Sequence, residues 1–319
     1  MLMPWPMLAA LGLGFFLIGT VVGSFLNVCI YRIPWQKSVI WPSSRCPRCW
    51  SAIAPRDNIP IVGWLALRGE CRHCGSGISI RYPLIEGLVG LFFLGAFLID
   101  VVAGPKGTWG MIPANQWIAA AYHAIFLALL VAATFIDYDV MMIPDAITVT
   151  GMVIGVAMGT VWPGIRPALS TLPGTVPTHL QGFLTGLVGL AVGAGITQFV
   201  RMTAGFALGR EAMGLGDVTL LGMVGAFLGW QAAVLTFFLA PFFGLAHAAW
   251  KLLIYLKKRL GGGQLSSSDR EIPYGPYLSM AAAALLFTWP YVWQGWAKGL
   301  FGTLYVLFWW GLGIDVPPD

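Results

Sequence analysis

Charge is scarce in this chain. Of 319 residues, 18 are Lys or Arg and 13 are Asp or Glu, or 10%, against about a quarter in a soluble domain. That deficit excludes a single water-soluble core of this length, and it excludes disorder, which needs a polar and charged composition. Five cysteines in the whole chain are too few for a disulfide scaffold, and no Gly-x-y period marks a collagen. What fills the sequence is apolar: 58% hydrophobic residues, 15 Trp and 41 Gly, with a mean hydropathy of +0.78. The fold class expected is therefore an all-α, multi-span membrane protein, because lipid cannot satisfy the open backbone groups of a sheet. A formal charge of +5 would suggest nucleic acid in a soluble protein. Here the basic residues read first as topology signals, and no nucleic-acid partner is expected.

Windows of about 20 apolar residues give eight expected spans, at 7–29, 84–103, 116–137, 144–162, 181–201, 214–230, 231–250 and 277–295, with a further apolar segment at 300–312. The first has no basic residue before it and no small-residue cleavage site behind it, so it reads as a retained helix. With the N-terminus outside, all of the 18 Lys and Arg except Lys106, Arg166 and Lys298 fall on the inside. The positive-inside rule thus fixes the orientation, with anionic lipid headgroups as neighbours. The chain divides into a first transmembrane helix (1–31), a polar, Arg-rich cytoplasmic loop domain (32–83) and a transmembrane remainder (84–319). Residues 163–180 read as an outer loop, Gly261-Gly262-Gly263 with Ser266-Ser267-Ser268 as a flexible inner linker, and no internal repeat is evident.

The loop holds four of the five cysteines. Cys46-Pro47-Arg48-Cys49 and Cys71-Arg72-His73-Cys74 are two C-x-x-C knuckles with close to the separation of a four-thiolate zinc site. A redox pair or two disulfides is the competing reading. A cytoplasmic, reducing location argues against it. Four protein ligands close the coordination shell, so the zinc expected here is structural. His73 lies within a knuckle and reads as solvated, and Cys29 in the first span reads as a small packing residue.

A carboxylate at membrane depth is costly, so each acid in or beside a span needs a reason. Asp100 reads as solvated at the outer end of its span. Glu86 and Asp145 read as first-turn residues favoured by the helix dipole. Asp137 closes a long apolar run at a helix C-terminus, where the dipole disfavours an anion. Asp217 follows two glycines in Met213-Gly214-Leu215-Gly216-Asp217, and Gly214 and Gly216 let another backbone or a substrate come close. The topology brings Asp137 and Asp217 to one membrane face. Two carboxylates there would share a proton, the ionised one activating water while the protonated one polarises a carbonyl. Helix caps or an ion-pathway pair in a zinc-ribbon membrane transporter are the other readings of the same residues.

A resemblance separates these alternatives. Gly23-Ser24-Phe25-Leu26-Asn27-Val28, Tyr31-Arg32-Ile33-Pro34, the two knuckles, Asp57-Asn58-Ile59-Pro60, Leu67-Arg68-Gly69 and Arg81-Tyr82-Pro83-Leu84-Ile85-Glu86 come first. Ile136-Asp137-Tyr138-Asp139-Val140-Met141-Met142-Ile143-Pro144-Asp145, Ala212-Met213-Gly214-Leu215-Gly216-Asp217 and Ile272-Pro273-Tyr274-Gly275-Pro276 follow in order. Together they resemble the type IV prepilin peptidases, also called prepilin leader peptidase/N-methyltransferases. The resemblance implies a bacterial cytoplasmic-membrane aspartyl protease of the GxGD type. It would remove the leader of type IV prepilins or type II secretion pseudopilins at the cytoplasmic face, with Asp137 and Asp217 as the catalytic pair. It also implies N-methylation of the new N-terminus with S-adenosylmethionine, associated with the cysteine loop. Thr219 stands where members commonly have Lys, Gly63 where Ser is frequent, and Trp50 follows the first knuckle.

Overall fold

The computed structural model describes residues 4–104, 112–167, 177–209, 213–260 and 273–311, and among them every regular element is a helix. The stretch 168–176 of the expected outer loop and the Gly/Ser linker lie outside the described residues. Helix α1 is Trp5–Arg32, and a short α2, Val62–Ala66, sits inside the cysteine loop. Helix α3, Arg81–Ala96, runs on through a π turn at Phe97–Val102. Then come α4 (Ala114–Val140), α5 (Asp145–Val161), α6 (Thr178–Leu208), α7 (Leu215–Leu228), α8 (Trp230–Leu260), α9 (Gly275–Val292) and α10 (Lys298–Gly311).

All eight expected spans fall on helices, but they are not alike. Among the described residues, five segments are long and apolar enough to cross a membrane: Trp5–Trp35, Arg81–Val102, Ala114–Val140, Thr178–Ala207 and Trp230–Leu253. Helices α5 and α7 are apolar but only 17 and 14 residues long, and at 1.5 Å per residue the second reaches about 21 Å, short of a hydrocarbon core. Helix α9 has 18 residues, with Pro276 and Tyr277 near one end and Pro290 and Tyr291 near the other. The apolar segment at 300–312 is helical as far as Gly311.

Burial sorts the helices into centre and periphery. From Leu220 to Leu228 every residue of α7 is buried, and α4 hides an Ala-rich face that includes Ala119, Ala120, Ala124, Ala128, Ala132 and Ala133. The outer helices leave Leu13, Leu17, Phe199, Phe206, Phe238 and Phe242 exposed, as contact with lipid requires.

Without a hydrophobic force between helices in lipid, small residues let backbones meet. On α1, a Cβ added at Gly19 would lie 2.8 Å from the Gly90 Cα, and one at Gly23 would lie 2.7 Å from the Glu86 Cα. This small-xxx-small pair is what fastens α1 along α3. At the end of the bundle away from Asp137, Arg166 donates to the carbonyls of Gly155 (2.9 Å), Gly182 (2.6 Å) and Ala226 (3.1 Å). One guanidinium thus ties α5, α6 and α7 together through carbonyl oxygens alone.

Candidate functional site

The α4–α5 connection, the start of α7 and the start of α9 converge on Asp137 and Asp217. Asp137 lies in the last turn of α4, 6% exposed, and Asp217 in the first turn of α7, 8% exposed. Asp137 Oδ2 accepts the N–H of Gly275, the first residue of α9, at 3.1 Å. Asp217 Oδ2 accepts the N–H of Gly214 at 3.3 Å. Each carboxylate therefore faces a helix N-terminus, where unpaired N–H groups and the dipole favour negative charge. This removes the difficulty of an anion at a helix C-terminus: α9 offsets at Asp137 what α4 disfavours. The two groups are within electrostatic reach of one another, and Tyr274 is within reach of Asp217.

Glycines set this geometry. A Cβ at Gly275 would stand 2.6 Å from Asp137 Oδ2 and 2.8 Å from Ile143 Cδ1. One at Gly216 would stand 2.8 Å from Ile143 Cβ. Ile143 is thus wedged between the first turns of α7 and α9. The room left by Gly216 is taken by the chain's own α4–α5 connection, whereas the space beside Gly214 is open, with Asp217 Oδ2 at 3.8 Å. In the sequence Gly275 is marked only as one residue of Ile272-Pro273-Tyr274-Gly275-Pro276; its chemistry shows only where the start of α9 meets Asp137. Thr219, at the position where Lys is common, donates to the Gly216 carbonyl at 3.1 Å and accepts from the buried Thr148 at 3.1 Å.

The other acids are held elsewhere. Asp139 forms a two-pronged pair with Arg81, at 2.7 Å on each prong, and Asp145 is an exposed first-turn residue of α5. Two expectations are corrected. Glu86 is not in the first turn of α3; it is 8% exposed, and its Oε2 accepts the Ile61 N–H at 2.6 Å, pinning the cysteine loop to α3. Asp100 is not simply solvated: it bonds Nδ1 of the buried His123 at 2.7 Å, because the π turn rolls it inward.

In the cysteine loop the four sulfurs lie within 4.8 Å of one another, with Cys46–Cys74 at 3.8 Å and Cys49–Cys71 at 3.9 Å. All four are free thiols. Zn–S bonds of about 2.3 Å imply a tetrahedron with edges of about 3.8 Å, so this donor set fits a metal ion. The two knuckles repeat one design, too short to register as an internal repeat. Cys46 N–H donates to the Ser51 carbonyl and Trp50 N–H to that of Cys46, at 3.0 and 2.9 Å; Cys71–Ser76 and Gly75–Cys71 match them at 2.8 and 2.9 Å. Bridges Arg45–Ala52 and Glu70–Gly77 close each turn. The residue after each second cysteine is left-handed, Trp50 at φ 58° and Gly75 at φ 66°.

The N–H groups of Cys49 and Arg48 pull the Cys46 thiol down to about 6, into the range where a ligand thiolate is present at neutral pH. Arg72 grips Asp57 at 2.8 and 2.6 Å and holds its carboxyl below the ordinary range. Gly63 has a reason for lacking a side chain: the Asp57 carbonyl occupies the place of its Cβ.

Two family models match separate parts of the chain. A family model described as Bacterial Peptidase A24 N-terminal domain matches residues 17–99, which include the cysteine loop. One described as Type IV leader peptidase family matches residues 124–249, which include both aspartates. A prepilin leader peptidase/N-methyltransferase from Myxococcus xanthus is 34% identical over 265 residues, covering 83% of this chain and 70% of the relative. The type 4 prepilin-like proteins leader peptide-processing enzyme of Escherichia coli is 32% identical over 300 residues, 88% of this chain and 93% of the relative. A prepilin leader peptidase/N-methyltransferase of Pectobacterium carotovorum is 31% identical over 284 residues, 82% and 88%. No solved structure gives a significant match.

Proposed function

The chain belongs to the type IV leader peptidase family, and from that premise we propose that it is a membrane aspartyl peptidase that removes the leader of prepilins or pseudopilins, with Asp137 and Asp217 as its catalytic pair. The observation that carries the reading is the convergence of these two buried carboxylates from α4 and α7, each facing a helix start. Water between them attacks the scissile carbonyl carbon. One carboxylate takes the water proton while the other, protonated, donates to the carbonyl oxygen. Collapse of the tetrahedral intermediate then passes a proton to the leaving amine, with no covalent enzyme intermediate. Gly214, with open space beside it, is the glycine available to an approaching peptide; Gly216 serves by seating Ile143.

The proposed orientation places the N-terminus outside and the pair at the cytoplasmic face of the bacterial inner membrane. The Arg81–Asp139 and Asp137–Gly275 bonds and the packing of Ile143 against Gly216 support it, since together they gather the end of α4 and the starts of α3, α7 and α9 on the side of the Arg-rich loop. A prepilin with a basic cytosolic leader and an apolar membrane helix would present its scissile bond at that depth. The working division remains 1–31, 32–83 and 84–319. Cys46, Cys49, Cys71 and Cys74 would hold a structural zinc. N-methylation with S-adenosylmethionine is inferred from the relatives' names, and no residue is assigned to that donor. A transporter would place its carboxylates nearer the bilayer midplane.

Coexpression with a type IV prepilin, scored by mass spectrometry, tests the reading. Wild type should yield leader loss and N-methylation as separate mass changes. Asp137→Asn and Asp217→Asn should each reduce cleavage by at least about a hundredfold while the protein stays inserted and folded. Near wild-type processing by Asp217→Asn would refute the assignment of the pair.

A further inference from the structure

Two carboxylates, Asp137 and Asp139, crowd the C-terminal turn of α4, the end at which a helix disfavours anions. The first is offset by the N–H of Gly275. The second is offset by Arg81, whose Nη1 and Nη2 each reach an Asp139 oxygen at 2.7 Å. The same Nη2 donates to the Phe135 carbonyl at 3.4 Å, and the guanidinium lies over the Phe135 ring, 5.0 Å from its centroid. Arg81 thus grips the chain two residues before and two residues after Asp137. It is also the first residue of α3, the helix to which Glu86 pins the cysteine loop through Ile61.

We propose that Arg81 is a positioning residue of the peptidase, one that fixes the last turn of α4 and the Asp137 carboxylate on it, and through which the cysteine loop steadies the aspartate pair. The Arg81 and Asp139 side chains are 37% and 34% exposed, so the pair adds little to global stability. Its value is directional: a planar fork on a carboxylate sets an angle that a single ammonium cannot. The inference rests on the peptidase reading for its kinetic consequence, but its structural half is measurable without substrate.

The test uses the full-length, metal-containing protein and a prepilin substrate, with Arg81→Gln, Arg81→Lys, Asp139→Asn, the Gln/Asn double variant and the exchanged pair Arg81→Asp with Asp139→Arg. Arg81→Gln and Asp139→Asn should each lower kcat about tenfold with little change in KM. The double variant should be no worse than Arg81→Gln alone, since that change already removes the pair with Asp139 together with the Phe135 contacts. Arg81→Lys should be intermediate. The exchanged pair should recover part of the rate, because it restores an ion pair with an acid at the start of α3 and a base at the end of α4, where the dipoles favour them, while the Phe135 contacts of Arg81 stay lost.

Hydrogen exchange over residues 135–141 should quicken in Arg81→Gln and Asp139→Asn, with the rest of α4 unchanged. Wild-type rates and exchange in Arg81→Gln overturn the proposal. So do additive losses in the double variant, or a loss of kcat accompanied by faster exchange throughout the bundle. If exchange changes locally while even the wild type fails to cleave prepilin, the peptidase reading has failed and the positioning of Asp137 by Arg81 stands.

Discussion

Around the four thiols, the hydrogen bonds that shape the site join residues close in sequence, such as Cys46 with Ser51 and Cys71 with Ser76. Around the two carboxylates the decisive bond joins Asp137 to Gly275, 138 positions away. The first region is a local construction that a metal ion can complete. The second exists only because three helix ends arrive together. Damage should therefore stay confined in the loop and spread in the bundle, except where Arg81 joins the two.

The largest effect is expected from Gly275→Ala. Its Cβ would stand 2.6 Å from the Asp137 oxygen and 2.8 Å from Ile143, so the carboxylate or α9 must move. A displacement near 1 Å costs about a hundredfold in rate. Prepilin cleavage should drop on that scale while metal content stays at the wild-type level; unchanged cleavage would mean that the close approach at α9 is dispensable.

Next comes Cys46→Ser or Cys71→Ser. Elemental analysis should find about one zinc per chain in the wild type and far less in either variant, because four-thiolate binding is coupled to folding. Cleavage should fall by several-fold and methylation further. Equal losses of both would break the separation of the regions, and intact zinc binding in Cys71→Ser would remove the four-sulfur site.

The smallest effect is expected from Trp50→Gly. Trp50 adopts φ 58° where the second knuckle has Gly75 at φ 66°, and a left-handed conformation costs a side-chain-bearing residue about 1 kcal/mol. Glycine should slow zinc loss to a chelator modestly and leave cleavage unchanged. Faster loss would show that the Trp50 ring contributes more than its backbone costs.

The same contrast decides what could be read in advance. The knuckles were legible because their geometry repeats within a few residues, and the helices because apolar windows of spanning length are a local property. Asp137 and Asp217 stood out as acids lacking a local excuse. Gly275 did not, because its missing Cβ matters only against a helix far away in sequence. Glu86 and Asp100 were misread for a related reason: dipole and solvent arguments were sufficient locally, while the real partners, Ile61 and His123, are set by packing and by a π turn. The expected spans 144–162 and 214–230 match α5 and α7 to within two residues, because Pro144, Gly214 and Gly229 mark their ends locally.

The wedge formed by Ile143 has a kinetic side. With Asp137 and Asp217 exposed by only 6% and 8%, an extended peptide can lie against both only after a segment packed around them moves. The α4–α5 connection, whose Ile143 sits between the first turns of α7 and α9, is the segment in contact with both helix starts. That connection carries Met141 in the left-handed region at φ 53°, just before Ile143 and Pro144. If withdrawing Ile143 is slower than hydrolysis, turnover is clocked by uncovering rather than by chemistry. Prepilins with different residues at the scissile bond would then be processed at one common rate, and a smaller side chain at 143 would quicken all of them alike.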